Sequence, residues 1–242
     1  MIPLYDKNPT QRSPVITRLL IFTNIFVFLV TWWLENRGVH WIASGYGMVP
    51  SRLTVDPSGE AGKLISSTFL HASGAHLGWN MLFLQIFGDN IEDALGRARY
   101  VLFYLAAGMV AGISQYLVDP MGTTPMIGAS GAIAGVLGGY MVLFPNARVI
   151  IFNPLLLPLP LLPLPAWLVA GWWFVTNLFG GLISFLGAGS NVAYMAHLGG
   201  FAAGLLLIRA LRPAGSAPEA TDTRQVQRKV FRRSSDGPFW RQ

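Results

Sequence analysis

Ser130 has the sequence surroundings that most favour nucleophilic chemistry. It stands in the stretch Gly128-Ala129-Ser130-Gly131, which opens an uncharged segment rich in Gly and Ala. Serine is also a common small packing residue in membrane helices, so its type alone decides nothing. The backbone N–H groups around Gly128 and Ala129 would lie at the start of a predicted helix, where they lack intrahelical acceptors. Donors of that kind can stabilise a developing oxyanion, and Ser130 is therefore a candidate nucleophile.

His197 is the candidate general base. Burying an ionisable side chain in a membrane segment is costly and commonly functional, although a hydrogen-bonded packing role is the alternative. Gly200 and Gly204 follow His197 at i+3 and i+7, so one helix face is bare apart from the imidazole. Helices lined with small residues can approach closely, which would bring His197 within reach of the Ser130 hydroxyl and activate it. We predict close helix packing at four glycines: Gly128, Gly131, Gly200 and Gly204.

His76 and Asn80 form a second pair of candidate residues. They are four residues apart, so they share a helix face, and both side chains can donate hydrogen bonds. Asparagine by itself is more often a polar contact between membrane helices. Paired with His76, Asn80 is a candidate donor to an oxyanion. His71 precedes this helix, and for it a hydrogen bond that braces the loop is the favoured interpretation.

The rest of the composition excludes several other chemistries. The sequence has no cysteine and no H-E-x-x-H motif, so it offers neither a disulfide framework nor a recognisable zinc site. No Asp or Glu falls near Ser130 or His197 in a predicted helix, which leaves a Ser–His dyad.

A proton relay through His76 and His197 in a transporter or channel is the alternative. It would predict inverted repeats and polar residues at mid-membrane depth, and neither is visible in the sequence.

The segments that carry these residues are strongly apolar. Hydrophobic residues make up 52% of the 242 residues and charged residues 12%, whereas soluble domains carry about 25% charge. Residues 149–208 contain no charged side chain at all. Because a bilayer core of about 30 Å needs about 20 helical residues, we predict six spans, at 16–34, 75–94, 99–118, 129–144, 166–186 and 191–211. With the sixth span beginning at Asn191, His197 is expected about 9 Å below its start.

Lys and Arg are distributed unevenly between the two sides that six spans create. One side carries 14 of the 17 basic residues, and the other carries Arg37, Arg52 and Lys63. Because basic residues accumulate on the cytoplasmic side, both termini are expected to be cytoplasmic. The chain is predicted to be an integral, multi-pass protein of the cell membrane.

The predicted spans also divide the chain. A cytoplasmic segment, 1–15, precedes a membrane domain, 16–211, and a basic tail, 212–242, that we expect to be disordered. The membrane domain includes a long outer loop, 35–74, whose mixed character favours the interface. Five prolines lie between residues 154 and 165, so that connection is predicted to be extended rather than helical.

Taken together, these motifs resemble the rhomboid family of intramembrane serine proteases over about residues 53–211. The stretch Gly128-Ala129-Ser130-Gly131 is similar to the nucleophile motif of the family. The stretches His76-x-x-x-Asn80 and Ala196-His197-Leu198-Gly199-Gly200-x-x-x-Gly204 resemble its second and last spans. The known six-helix core of the family agrees with the six spans counted from hydropathy and charge.

The resemblance implies a role for each candidate residue. Ser130 would be the nucleophile, His197 the general base, and His76, Asn80 and the Ser130 N–H the oxyanion site. Many family members have an aromatic residue one turn after the serine, where it stacks on the base histidine. This sequence has Ala134 at that position, so the support of His197 is expected to differ.

The sequence thus predicts an all-α polytopic membrane protein with a six-helix, rhomboid-like bundle. We interpret it as an intramembrane serine endopeptidase that cleaves transmembrane segments of other proteins near the outer leaflet. Its expected partners are membrane protein substrates and membrane lipid, with no nucleic acid, metal or cofactor. The alternatives are the transporter or channel described above and a catalytically inactive rhomboid-like binding protein. The sequence leaves the oligomeric state open.

Overall fold

The computed structural model describes residues 2–156, 160–188 and 192–213. Long helices dominate the described part of the chain, and each predicted span overlaps one of them. They are α1 (Val15–Glu35), α2 (Gly74–Leu95), α3 (Arg97–Val118), α4 (Ser130–Leu143), α5 (Ala166–Ile183) and α6 (Tyr194–Leu211). A π-helical turn, Ser184–Ala188, continues α5. The predicted disordered tail lies outside the described residues from residue 214 onward.

Among the described residues, four helices are long and apolar enough to cross a membrane: α1, α3, α6, and α5 with its π-helical extension as far as Leu186. Their outward faces carry large exposed apolar side chains such as Phe22 and Phe179, which are 66% and 60% exposed. Such surfaces suit lipid rather than water. The chain is therefore an integral, multi-pass membrane protein. α4 has only 14 residues and α2 contains three acidic residues, so the count of six spans stays a prediction.

α4 is the centre of the bundle. Its residues 131–140 are all buried, and it packs against α6, α3, α2 and α5. A 14-residue helix is about 21 Å long, whereas the 22 residues of α3 extend about 33 Å. α4 is therefore a short rod surrounded by longer neighbours, and its first residue is Ser130.

Glycine allows α6 to approach α4 at backbone contact distance. A Cβ added at Gly200 would overlap the carbonyl oxygen of Gly131, and one added at Gly204 would overlap that of Gly135. This approach leaves no space for a side chain at Gly200 or Gly204, so the two helices are held together by van der Waals contact between their backbones. The contact fixes the position of α6, and with it that of His197.

α6 begins at Tyr194 rather than at residue 191, because Val192 and Ala193 are not helical. The expected depth of His197 was therefore wrong. His197 lies three residues into the helix, about 4.5 Å along it, instead of about 9 Å. Hydropathy locates the apolar run but not the residue at which the helical hydrogen bonds begin. Asn191 itself lies outside the described residues.

A small antiparallel sheet corrects the all-α prediction. Its strands are β1 (Ile2–Asp6), β2 (Arg148–Phe152) and β3 (Leu161–Pro165), in the order β1-β2-β3. Within the described part of the proline-rich connection, Leu161–Pro165 is extended, as predicted, but the residues just after β2 are not. Prolines fall in the edge strands, at Pro3, Pro163 and Pro165, and the central strand has none. Proline cannot donate to a ladder, so it is tolerated at an edge. A 3₁₀ turn, Pro154–Leu156, follows β2.

The loop between α1 and α2 is built from short helical pieces. They are Ile42–Tyr46, Pro50–Val55, Pro57–Glu60, Lys63–Ser66 and the 3₁₀ turn Ser67–Phe69. The loop holds the backbone that precedes Ser130 in two places. Met48 and Met126 exchange backbone hydrogen bonds of 3.1 and 2.8 Å, and the Gly128 N–H donates to the Ser67 carbonyl at 2.9 Å.

Glu92 attaches α1 to α2. Its carboxylate accepts hydrogen bonds from the N–H groups of Ile16 and Thr17, at 2.9 and 2.8 Å, and from the Thr17 hydroxyl at 2.9 Å. Glu92 is 4% exposed and Thr17 fully buried. A carboxylate at a helix N-terminus satisfies otherwise unpaired donors and interacts favourably with the helix dipole.

Candidate active site

Ser130 and His197 are in hydrogen-bond contact. His197 Nε2 lies 2.8 Å from Ser130 Oγ, although the residues are 67 positions apart in the chain. Ser130 is the first residue of α4 and His197 lies in the first turn of α6. The glycine contacts between these helices determine this distance. A neutral imidazole nitrogen at 2.8 Å can accept the hydroxyl proton, as a general base must.

Asn177 is a polar residue of the site that the sequence analysis missed. Its side-chain oxygen Oδ1 lies 2.6 Å from Nδ1 of His197, so the imidazole contacts Ser130 with one nitrogen and Asn177 with the other. Asn177 is on α5 and is 8% exposed. A polar side chain in the middle of the sixty uncharged residues 149–208 was a usable signal, because an amide in such a segment requires a partner.

Aromatic support for His197 comes from α5 and α6. The Trp173 ring lies 5.6 Å from the imidazole, centroid to centroid, at an interplanar angle of 42°. The Tyr194 ring lies 6.5 Å away, edge-on. Ala134, where many family members carry the stacking ring, is completely buried. Trp173 therefore packs against His197 from the neighbouring helix.

His76 faces the backbone just before Ser130. A Cβ added at Gly128 would lie 2.8 Å from both Cε1 and Nε2 of His76 and 3.7 Å from Ser130 Oγ. The φ angle of Gly128 is +129°, a conformation that residues with a side chain rarely adopt. The chain thus needs glycine here for both the backbone angle and the close approach of His76.

Asn80 binds His71. Its amide Nδ2 donates to His71 Nε2 at 3.0 Å, and both side chains are buried. Burial and the neighbouring His76 ring lower the pKa of His71 to about 4, so His71 is neutral near pH 7 and can accept this bond. His71 therefore braces the loop against α2, and one N–H of the Asn80 amide stays available for another acceptor.

A cavity of about 790 Å³ brings these residues together. Its lining includes all four side chains singled out from the sequence, His76, Asn80, Ser130 and His197, together with Trp173. As the first residue of α4, Ser130 also presents a backbone N–H that has no intrahelical acceptor. Within the described residues, no three His, Asp or Glu side chains lie close enough together to bind a metal ion.

The cavity can accommodate the chemistry of acyl transfer. It contains a hydroxyl, an imidazole that can accept its proton, and N–H donors of three kinds, from the backbone, an imidazole and an amide. Such a set can stabilise a tetrahedral oxyanion.

The sequence resembles proteins of one family. The model of the rhomboid domain matches residues 58–214. "Putative rhomboid protease YdcA" of Bacillus subtilis is 34% identical over 153 residues, which cover 62% of this chain and 67% of that protein. "Rhomboid protein 1, mitochondrial" of Saccharomyces cerevisiae is 31% identical over 59% of this chain and 40% of its own length. "Rhomboid protease GluP" of Bacillus subtilis is 31% identical over 63% of this chain and 26% of its own length.

The chain thus spans about two thirds of YdcA and less than half of the other two relatives. The family match includes Ser130, His197 and the Asn177 side chain that contacts His197. The chain belongs to the rhomboid family.

Proposed function

We propose that this rhomboid protein is an active intramembrane serine protease. The observation that carries the proposal is the 2.8 Å distance between His197 Nε2 and Ser130 Oγ. An inactive rhomboid-like binding protein would not need a base beside this hydroxyl. A transporter with a histidine relay would need polar groups across the membrane, whereas the candidate residues are grouped around one cavity.

The proposed reaction has two steps. Ser130 Oγ attacks the carbonyl carbon of the substrate while His197 Nε2 takes its proton, and the resulting imidazolium then protonates the leaving amine. Water attacks the acyl-enzyme with His197 again as the base, which releases the carboxylic acid and regenerates Ser130. The Ser130 N–H, His76 and Asn80 stabilise the oxyanion in both steps.

The proposed substrates are transmembrane segments of other membrane proteins. A hydrogen-bonded helix shields its carbonyl groups, so a substrate should carry helix-breaking residues near the bond that is cleaved. The N-terminal ends of α4 and α6, which carry Ser130 and His197, would lie on the outer side, with both chain termini cytoplasmic. This orientation rests on the distribution of Lys and Arg. Some relatives are named as mitochondrial, but we propose the cell membrane.

Labelling with a fluorophosphonate tests the proposal directly. This probe mimics the tetrahedral intermediate and reacts only with an activated serine. Ser130 of the wild-type protein should be modified in detergent, and Ser130→Ala should not be. Cleavage of a transmembrane substrate in proteoliposomes should be lost in Ser130→Ala and His197→Ala alike. The double variant should be no worse than either, because residues that act as one unit are non-additive. Cleavage by Ser130→Ala would refute the mechanism.

A further inference from the structure

We propose that Asn177 is a positioning residue, which keeps a proton on Nδ1 of His197 and so leaves Nε2 free to accept the Ser130 proton. The inference rests on the proposed protease function. Hydrogen bonds then connect three side chains on three helices: Ser130 on α4, His197 on α6 and Asn177 on α5.

The orientation of the Asn177 amide follows from its second contact. Its Nδ2 donates to the carbonyl oxygen of Trp173 at 2.8 Å, and a carbonyl can only accept. The amide oxygen must therefore be the atom that faces His197. An amide oxygen has no proton to give, so the hydrogen bond of 2.6 Å requires an N–H on Nδ1 of His197.

The tautomer follows from this assignment. A neutral imidazole carries one proton, so a proton on Nδ1 leaves Nε2 as a bare acceptor. Nε2 is the nitrogen that lies 2.8 Å from Ser130 Oγ. The opposite tautomer would direct an N–H at the serine hydroxyl and could not take its proton. The geometry at Asn177 thus selects the reactive form before substrate arrives.

The burial of Asn177 supports a role beyond filling space. The buried residues of α5 are Ala166, Ala170, Asn177 and Gly181, and the other three have small or no side chains. An amide buried in a membrane helix costs free energy unless its polar atoms are paired. Here the amide Nδ2 is paired with the Trp173 carbonyl in α5, and the amide Oδ1 is paired with His197. Trp173, one turn earlier, packs on the same imidazole, so α5 supports His197 at two points.

A neutral amide also suits this location. A carboxylate in the same position would have to be desolvated, which is costly next to lipid. The amide orients the ring and accepts its N–H without adding a charge to the membrane. Asn177 therefore orients the His197 imidazole as the carboxylate of a Ser–His–Asp triad would, but it carries no negative charge.

The test compares Asn177→Leu with Thr176→Val. Leucine keeps the shape of asparagine and removes its hydrogen bonds. Thr176 is the adjacent residue, is exposed, and its hydroxyl bonds only within its own helix, so its variant is the matched control. The measurements are kcat and KM for a transmembrane substrate in proteoliposomes, the rate of fluorophosphonate labelling, and Tm. Asn177→Asp, which keeps an acceptor oxygen, is the rescue variant.

We expect Asn177→Leu to lower kcat and the labelling rate about 10- to 100-fold, the cost known for removing the hydrogen-bond partner that orients a metal-binding histidine. KM and Tm should stay close to those of Thr176→Val. Asn177→Asp should recover part of kcat. Its added negative charge should also move the acid limb of the kcat/KM profile to higher pH, because it stabilises the imidazolium.

Three results would overturn the inference. The first is kcat of Asn177→Leu within about threefold of Thr176→Val. The second is a loss of kcat that follows a loss of Tm, with Asn177→Asp equally impaired, which would make Asn177 a structural contact between α5 and α6. The third is a rise in KM with kcat unchanged. Cleavage by Ser130→Ala would remove the proposed function and this inference together, whereas an inactive Ser130→Ala beside a fully active Asn177→Leu removes the inference alone.

Discussion

At the scale of single residues, the site depends on polar atoms held at short distances by backbone geometry. Gly128 shows this dependence most directly, because its φ of +129° and the adjacent His76 ring both exclude a side chain. Gly128→Ala should lower kcat/KM about 100-fold, since a shift of about 1 Å at a reacting group can cost that much.

The control for Gly128→Ala is Gly78→Ala. Gly78 lies on the same helix as His76, and a Cβ there would meet no atom within 4 Å. This variant should cleave normally and be at least as stable as wild type, because alanine favours a helix more than glycine does. Equal activity of the two variants would show that the approach of His76 to Gly128 has no role in cleavage.

Asn80 has two contacts to separate, its hydrogen bond to His71 and its proposed bond to the oxyanion. His71→Phe removes only the first, whereas Asn80→Ala removes both. Steady-state cleavage should therefore show a larger fall in kcat for Asn80→Ala. One lost oxyanion donor typically costs about 10²–10³-fold, and His76 and the Ser130 N–H would compensate in part. If the two variants lose kcat equally, Asn80 is only a brace for the loop.

At the scale of elements, the distance between Ser130 Oγ and His197 Nε2 depends on how closely α6 approaches α4. Gly204→Val should push α6 away, because even a Cβ at this position overlaps the Gly135 carbonyl. We expect both Tm and kcat to fall, with kcat reduced about 100-fold or more. Gly171→Val on α5 is the control, since a Cβ there meets no atom within 4 Å. Normal cleavage by Gly204→Val would contradict the packing argument.

The sequence allowed the long helices and the grouping of Ser130 with His197 to be predicted, because both follow from apolar runs and from the spacing of small residues. The pairing of β1 with β2 could not be predicted, because it joins residues 2–6 to residues 148–152 and no local sequence pattern encodes that contact. Asn177 was missed for a related reason. An amide in an uncharged segment signals that it needs a partner, but its contact with His197 depends on the rotation of α5 toward α6, which the composition of α5 does not reveal.

At the scale of the whole molecule, the sheet is attached to the helix that carries Ser130. The Tyr140 hydroxyl, on α4, donates to the Asp6 carboxylate of β1, and Asn90 Nδ2 donates to the same group at 3.1 Å. Burial and the nearby Asp89 carboxylate raise the pKa of Asp6 from 3.8 to about 6. One end of α4 thus lies at the cavity that contains Ser130 and His197, and the other is held by a strand more than 130 residues distant in sequence.

The raised pKa of Asp6 makes stability depend on pH. The folded state holds this proton more tightly than the unfolded state does, so its stabilising contribution is complete below about pH 3.8 and is lost as the pH rises through 6. Asp6→Asn keeps an acceptor for Tyr140 and cannot ionise. Its Tm relative to wild type should therefore rise from pH 4 to pH 7, by about 2–4 °C if partial exposure limits the effect to about 1 kcal/mol.

Asp56→Asn supplies a control of opposite sign for this pH dependence. Asp56 is exposed, and hydrogen bonds from the Gly59 N–H and the Ser58 hydroxyl lower its pKa. Its contribution is present above the unfolded pKa and is lost on acidification, so Asp56→Asn should lose Tm relative to wild type as the pH rises from 3 to 5. Thermal unfolding of wild type, Asp6→Asn and Asp56→Asn in one detergent from pH 3 to pH 7 separates the two effects. A constant Tm difference between Asp6→Asn and wild type from pH 4 to pH 7 would contradict the prediction, because it would mean that folding does not raise the pKa of Asp6.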